Sequence, residues 1–124
     1  MRFPTALVVA LLLGVQLQAH HSGIMFDPVK QVTLKGTVKE FIFTNPHVTI
    51  LITVVDDKGQ AVDWSIEAAS TQALVRSGWR KSSIKFGDTV TIVGRPLKDG
   101  RPGAVLVQVT LADGTELGRS GANF

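Results

Sequence analysis

Apolar and polar positions alternate over most of this chain. Val48, Ile50, Ile52 and Val54 alternate with His47, Thr49, Leu51 and Thr53, the period-two pattern of a strand with one buried face. Val62, Trp64, Ile66 and Ala68 alternate in the same way with Asp63, Ser65 and Glu67. Between these runs, Asp56-Asp57-Lys58-Gly59 is hairpin chemistry. Upstream, Val32, Leu34, Val38 and Ile42 set an alternation that runs to about Phe43, with Gly36 marking a bend or bulge. Thr44-Asn45-Pro46 then predicts a turn. Downstream, Asp88 to Gly94 and Ala104 to Leu111 read as two more strands, joined through a turn at Lys98-Asp99-Gly100. The one helical stretch runs from about Ser70 to Ser77, with Ser70 or Thr71 as its N-cap and Gly78 as its stop.

Three strands, a helix and two strands in about 100 residues predict a mainly β protein. The order is that of the five-stranded oligonucleotide/oligosaccharide-binding (OB) barrel, whose closure protects its edges. An open five-stranded sheet with a packed helix is the alternative. Trp64 is expected in the core, and Trp79 as a plug over one barrel end. Phe41 and Phe43 fall on the face opposite the inward set. They predict either a small exposed apolar patch or an inward flip after a bulge.

The beginning of the chain follows another pattern. Arg2, an apolar run from about Ala6 to Val15 and the small residue Ala19 have the form of an export signal. The run is shorter than the ~20 residues a membrane span needs. The expected organisation is a signal peptide over 1–19, an N-terminal arm over 20–30, a barrel over 31–117 and a flexible tail over 118–124. The expected location is the periplasm or the cell exterior, with no membrane insertion of the mature chain.

Composition narrows the chemistry. Among 13 Lys and Arg only Arg2 lies in the leader, so 12 basic residues oppose 10 acidic ones in the mature chain. They are scattered apart from Arg80-Lys81 and Lys85, so no basic stripe points to nucleic acid. There is no cysteine, which excludes disulfides, lipid attachment at cysteine and thiolate metal sites. No phosphate loop or nucleophilic triad is present, and an enzyme is not expected; copper-dependent oxidation, which needs an open coordination position near a substrate groove, is the one catalytic alternative.

The three histidines are His20, His21 and His47. Cleavage after Ala19 makes His20 the first residue, offering its α-amine and its imidazole together. Copper suits such nitrogen ligands. Cleavage after Gln18 instead gives Ala-His-His, an amino-terminal chelate built with backbone amides. If strands two and three pair so that Val54 meets Val62, His47 points outward and Glu67 is its diagonal neighbour, within reach of long side chains. His20 and His47 are then candidate metal ligands, with His21 beside them. Glu67 or Asp27 would supply an axial oxygen or orient a ligand. The constellation resembles the histidine brace of N-terminal-His copper proteins, such as the copper-resistance protein C family and the lytic polysaccharide monooxygenases. That resemblance covers only the terminal His and one distant His, and the strand order differs from those sandwiches.

A broader resemblance spans the mature chain. His20-His21-Ser22, Phe26-Asp27, Gly36-Thr37-Val38, Asn45-Pro46-His47, Trp64-Ser65-Ile66-Glu67, Gly78-Trp79, Gly87-Asp88 and Gly94-Arg95-Pro96 resemble a family of small exported bacterial proteins described as a domain of unknown function. The resemblance implies one exported domain and supplies no activity. Two functions are therefore expected from the residues alone. One is a periplasmic carrier, sensor or accessory factor for a transition metal, copper above all. The other is a metal-free module that binds a peptide, a glycan or an exported partner protein near Phe41, Phe43, Trp64 and the Gly94–Gly103 loop.

Overall fold

A computed structural model describes residues 22–118. The leader, His20, His21 and residues 119–124 lie outside them. The elements are α1 (Ser22–Met25), β1 (Val32–Ile42), β2 (Thr49–Val55), β3 (Ala61–Glu67), α2 (Thr71–Arg76), β4 (Thr89–Pro96), β5 (Gly103–Leu111) and β6 (Glu116–Gly118). The sheet runs β3-β2-β1-β4-β5-β6, and a parallel β3–β5 pairing closes the first five strands into a barrel. This is the expected OB-like closure, with one addition. β6 is a short sixth strand on the outer edge of β5.

β1 holds the barrel together because it serves two neighbours. Its first half, Val32 to Thr37, pairs with β4, and its second half, Thr37 to Ile42, pairs with β2. Gly36 sits where the strand changes partner. A Cβ there would stand 2.8 Å from the Thr53 carbonyl oxygen and 3.2 Å from side-chain atoms of Ile52 and Val54. Only glycine lets β1 and β2 come this close.

One bulge decides the fate of the phenylalanines. Val38 pairs with Ile52, but Glu40 pairs with Leu51, so Lys39 is the extra residue. A one-residue shift turns every later side chain to the other face. Phe41 therefore lies opposite Ile50, on the inner face. Phe41 and Phe43 pack against the core, their ring centroids 5.6 Å apart, and Phe41 lies 6.2 Å from Trp79. Of the two expectations for this pair the inward flip holds, and there is no exposed patch at Phe41 and Phe43. Trp64 is partly buried against the same core.

The interior is filled by Val38, Ile50, Ile52, Ile66, Val90, Ile92, Leu106 and Val109. Leu74 of α2, Trp79 and Ile84 are buried with them, so the segment between β3 and β4 joins the core. Trp79 is fully buried, and its Nε1–H donates to the Gly118 carbonyl at 2.9 Å, which ties β6 to the barrel.

Candidate functional site

β2 and β3 pair with Thr49 opposite Glu67 and Val54 opposite Val62, the register expected from the sequence. The pairing continues past the strand ends, where Val48 N–H donates to the Ala69 carbonyl and Ala68 N–H to that of Val48. His47, one residue further out, is therefore held beside the end of β3. Its Nδ1 lies 3.5 Å from Glu67 Oε1, with the side chains 39% and 26% exposed. Nδ1 is buried and has no hydrogen-bond partner among the described residues.

The turn before His47 is fixed to the helix. Asn45 Oδ1 accepts hydrogen bonds from Thr71 N–H at 3.0 Å and Thr71 Oγ1 at 2.9 Å. Thr71 opens α2, and the adjacent Ser70 caps that helix by accepting from Ala73 N–H. The Asn45–Pro46 peptide bond is cis. The imidazole thus sits on a turn tied at one end to β3 and at the other to α2.

Register adds a residue that sequence reasoning passed over. Glu67 of β3 lies beside Val105 of β5, and Val105 lies opposite Arg95 of β4. Side chains directly across paired strands share a face. Glu67, Val105 and Arg95 therefore form one row on the outer wall. Arg95 is half-buried and its Nε has no partner among the described residues. The Gly94-Arg95-Pro96 motif drew attention to this residue, but only the β3–β5 closure brings it near Glu67.

The arm takes a different place from the one a His47 contact requires. Asp27 N–H donates to the Pro96 carbonyl, Lys98 N–H donates to that of Met25, and Phe26 bridges Leu97. The described part of the arm thus lies along the end of β4. β5 and β3 stand between it and β2. Asp27 does not face His47. Its Oδ1 accepts from the Val29 and Lys30 amides, and these bonds hold its carboxyl below the ordinary value of 3.8. Among the described residues no three His, Cys, Asp or Glu groups cluster as a metal site would require.

On the outer face of β2 and β3, Asp63 accepts from Lys39 Nζ at 2.6 Å and from Thr53 Oγ1 at 2.8 Å. The lysine, then the threonine hydroxyl, lowers the pKa of this carboxyl. Thr49, Leu51, Val55, Ala61, Ser65 and Glu67 complete the face. It carries no aromatic residue and two carboxylates.

A family model described as "Family of unknown function (DUF6152)" matches residues 8–106. No curated protein matches the chain. Among solved structures, the mitochondrial single-stranded DNA binding protein Rim1 from S. cerevisiae is similar, with a TM-score of 0.51 at 13% identity. The similarity covers 67% of this chain and 93% of that one, and it shows the fold alone.

Proposed function

The chain belongs to the DUF6152 family of unknown function, whose membership brings no activity with it, and we propose that it is an exported binding module whose ligand is a transition-metal ion, copper before others. The observation that carries the reading is the His47–Glu67 pair. A metal-bound histidine usually directs its second ring nitrogen at a carboxylate, which fixes the tautomer and raises the basicity of the ligating nitrogen. Glu67 Oε1 lies 3.5 Å from Nδ1, which supports its taking that role once a metal draws the ring and carboxylate together. Nε2 is then the nitrogen that meets the metal.

The remaining ligands would come from the start of the chain. With residues 1–19 removed, His20 contributes its amine and ring, and His21 stands beside it. The site requires the α1 turn (Ser22–Met25) to unwind, after which five extended residues would reach ~17 Å back from Met25. Four strand spacings of ~4.8 Å separate the docked arm from β2, about 19 Å over the wall, and the lengths of the two imidazoles cover the difference. The path runs across Val105 and Glu67.

The metal-free alternative is favoured by a specific observation, the docking of Met25–Asp27 on the β4 end rather than on the Asn45 turn. In that reading the barrel binds a peptide, a glycan or an exported partner. Nucleic acid is not the proposed ligand, although Rim1 is by its description a single-stranded DNA binding protein. Binding of single strands uses stacked aromatics in a basic groove, whereas the outer face of β2 and β3 bears Asp63 and Glu67.

The test is copper titration of three proteins: the chain starting at His20, its His47→Ala variant, and the same chain with one residue added before His20. The reading expects weaker binding by both altered proteins. Equal affinity for all three, with partner capture unchanged by chelator, establishes the metal-free module.

A further inference from the structure

The charge of the barrel is not spread evenly. Residues 68–87 contain Arg76, Arg80, Lys81 and Lys85 and no Asp or Glu. The rest of the chain after residue 19 holds 8 basic and 10 acidic residues. The segment is folded as one unit against the barrel, because Leu74, Trp79 and Ile84 are buried in the core. Its four basic side chains all stay exposed.

Phe86 lies in the same segment and is 81% exposed. It is held in the open by structure on both sides. Ile84 is buried before it, and after it Gly87 N–H donates to the Val38 carbonyl. Gly87 adopts a φ of +84°, which turns the chain sharply there. Asp88 Oδ2 accepts from the Lys85 amide, closing the loop beneath the ring. Val75, on the outer side of α2, is a second exposed apolar residue. A rigid loop thus presents an exposed aromatic ring in a segment whose charged side chains are all basic and all exposed.

We infer that this surface docks the protein on a phospholipid bilayer that carries anionic headgroups, with Phe86 entering the interface and Arg76, Arg80, Lys81 and Lys85 meeting the phosphates. Charge complementarity selects the partner, since each basic residue near an anionic membrane surface is worth about fivefold in partition. The single protruding ring suits insertion into the interface better than base stacking, which uses a series of aromatics along a groove. The inference is independent of the metal site, which lies on other residues. It concerns adsorption to a surface and leaves the barrel outside the hydrocarbon.

Co-sedimentation tests it, using the chain from His20 onward, which retains every described residue, and vesicles of phosphatidylcholine with and without phosphatidylglycerol. Binding is expected only to the anionic vesicles and is expected to weaken with salt. Phe86→Ser should lower partition about tenfold, by the apolar surface it removes. A Lys81→Gln, Lys85→Gln double variant should lower it by about 25-fold. Circular dichroism identical to the parent shows that both variants keep their fold, as the exposure of these side chains requires. Equal partition into both vesicle types, or variants that bind anionic vesicles as the parent does, overturns the inference. Tighter binding to polyglutamate or to oligothymidylate than to the vesicles, insensitive to Phe86→Ser, also overturns it and assigns the surface to a soluble polyanion.

Discussion

His47 Nδ1 and Glu67 Oε1 face each other across 3.5 Å at the mouth of the β2–β3 ladder. The distance is long for a hydrogen bond and short for two unrelated side chains. A cation on the far nitrogen would polarise the ring and draw the carboxylate in. Glu67→Gln keeps the shape and removes the charge. It is expected to lower copper affinity by about 10–100-fold, the usual cost of losing a carboxylate behind a ligating histidine. Competition titration against a chelator of known affinity measures it.

Asn45 positions that imidazole through Thr71. Asn45→Ala removes one acceptor from two donors at the start of α2. A loss of about 1–2 kcal/mol in unfolding free energy is expected, read from urea denaturation. Copper affinity should fall with it, because the turn that carries His47 loses its tether.

Gly36→Ala places a methyl group 2.8 Å from the Thr53 carbonyl, which belongs to the paired backbone and has little room to yield. A destabilisation of about 1–3 kcal/mol follows from overpacking at this crossing. Phe86→Ser, at an exposed site, should leave the same denaturation curve within about 0.5 kcal/mol.

Acid should weaken the fold in a defined window. Asp27, Asp63, Asp99 and Asp113 all have carboxyls held below the ordinary value of 3.8. The main causes are the Lys30 and Val29 amides at Asp27, Lys39 and Thr53 at Asp63, the Arg101 amide and side chain at Asp99, and the Thr115 amide and hydroxyl at Asp113. A depressed folded pKa means that the folded state binds fewer protons than the unfolded one. The contribution is therefore complete above the ordinary value and is lost as pH falls through the depressed ones. Stability should be flat near neutrality and decline below about pH 4. Asp63→Asn should shallow that decline. Lys39 is shifted upward by Asp63, so its share is present below 10.5 and is lost at higher pH. Urea midpoints measured across pH separate the two limbs.

Much of the wall was legible because alternation carries parity. Pairing Val54 with Val62 was enough to put Glu67 beside His47, and the ladder keeps that register to its end. A bulge in β1 was one of two readings of the sequence, but its position was not legible: Gly36 suggested it three residues too early, and only the partner strand reveals Lys39 as the extra residue. β6 was missed because three residues, Glu116 to Gly118, carry no period. A long-range bond from Trp79 holds them. The α1 turn and the docking of Phe26 against Leu97 depend on the far end of β4, which nothing local to the arm encodes. Arg95 became visible only through the parallel closure of β3 on β5, a contact between segments nearly 40 residues apart.

Paramagnetic copper(II) locates its own site, because amide signals near the ion broaden and vanish. In an isotope-labelled chain that begins at His20, substoichiometric copper should erase the signals of His47, Glu67, Ala69 and Val105 together with those of the first residues. Broadening confined to the arm and to its neighbours Pro96, Leu97 and Lys98, with His47 and Glu67 untouched, would contradict a shared site and leave the barrel wall without a metal.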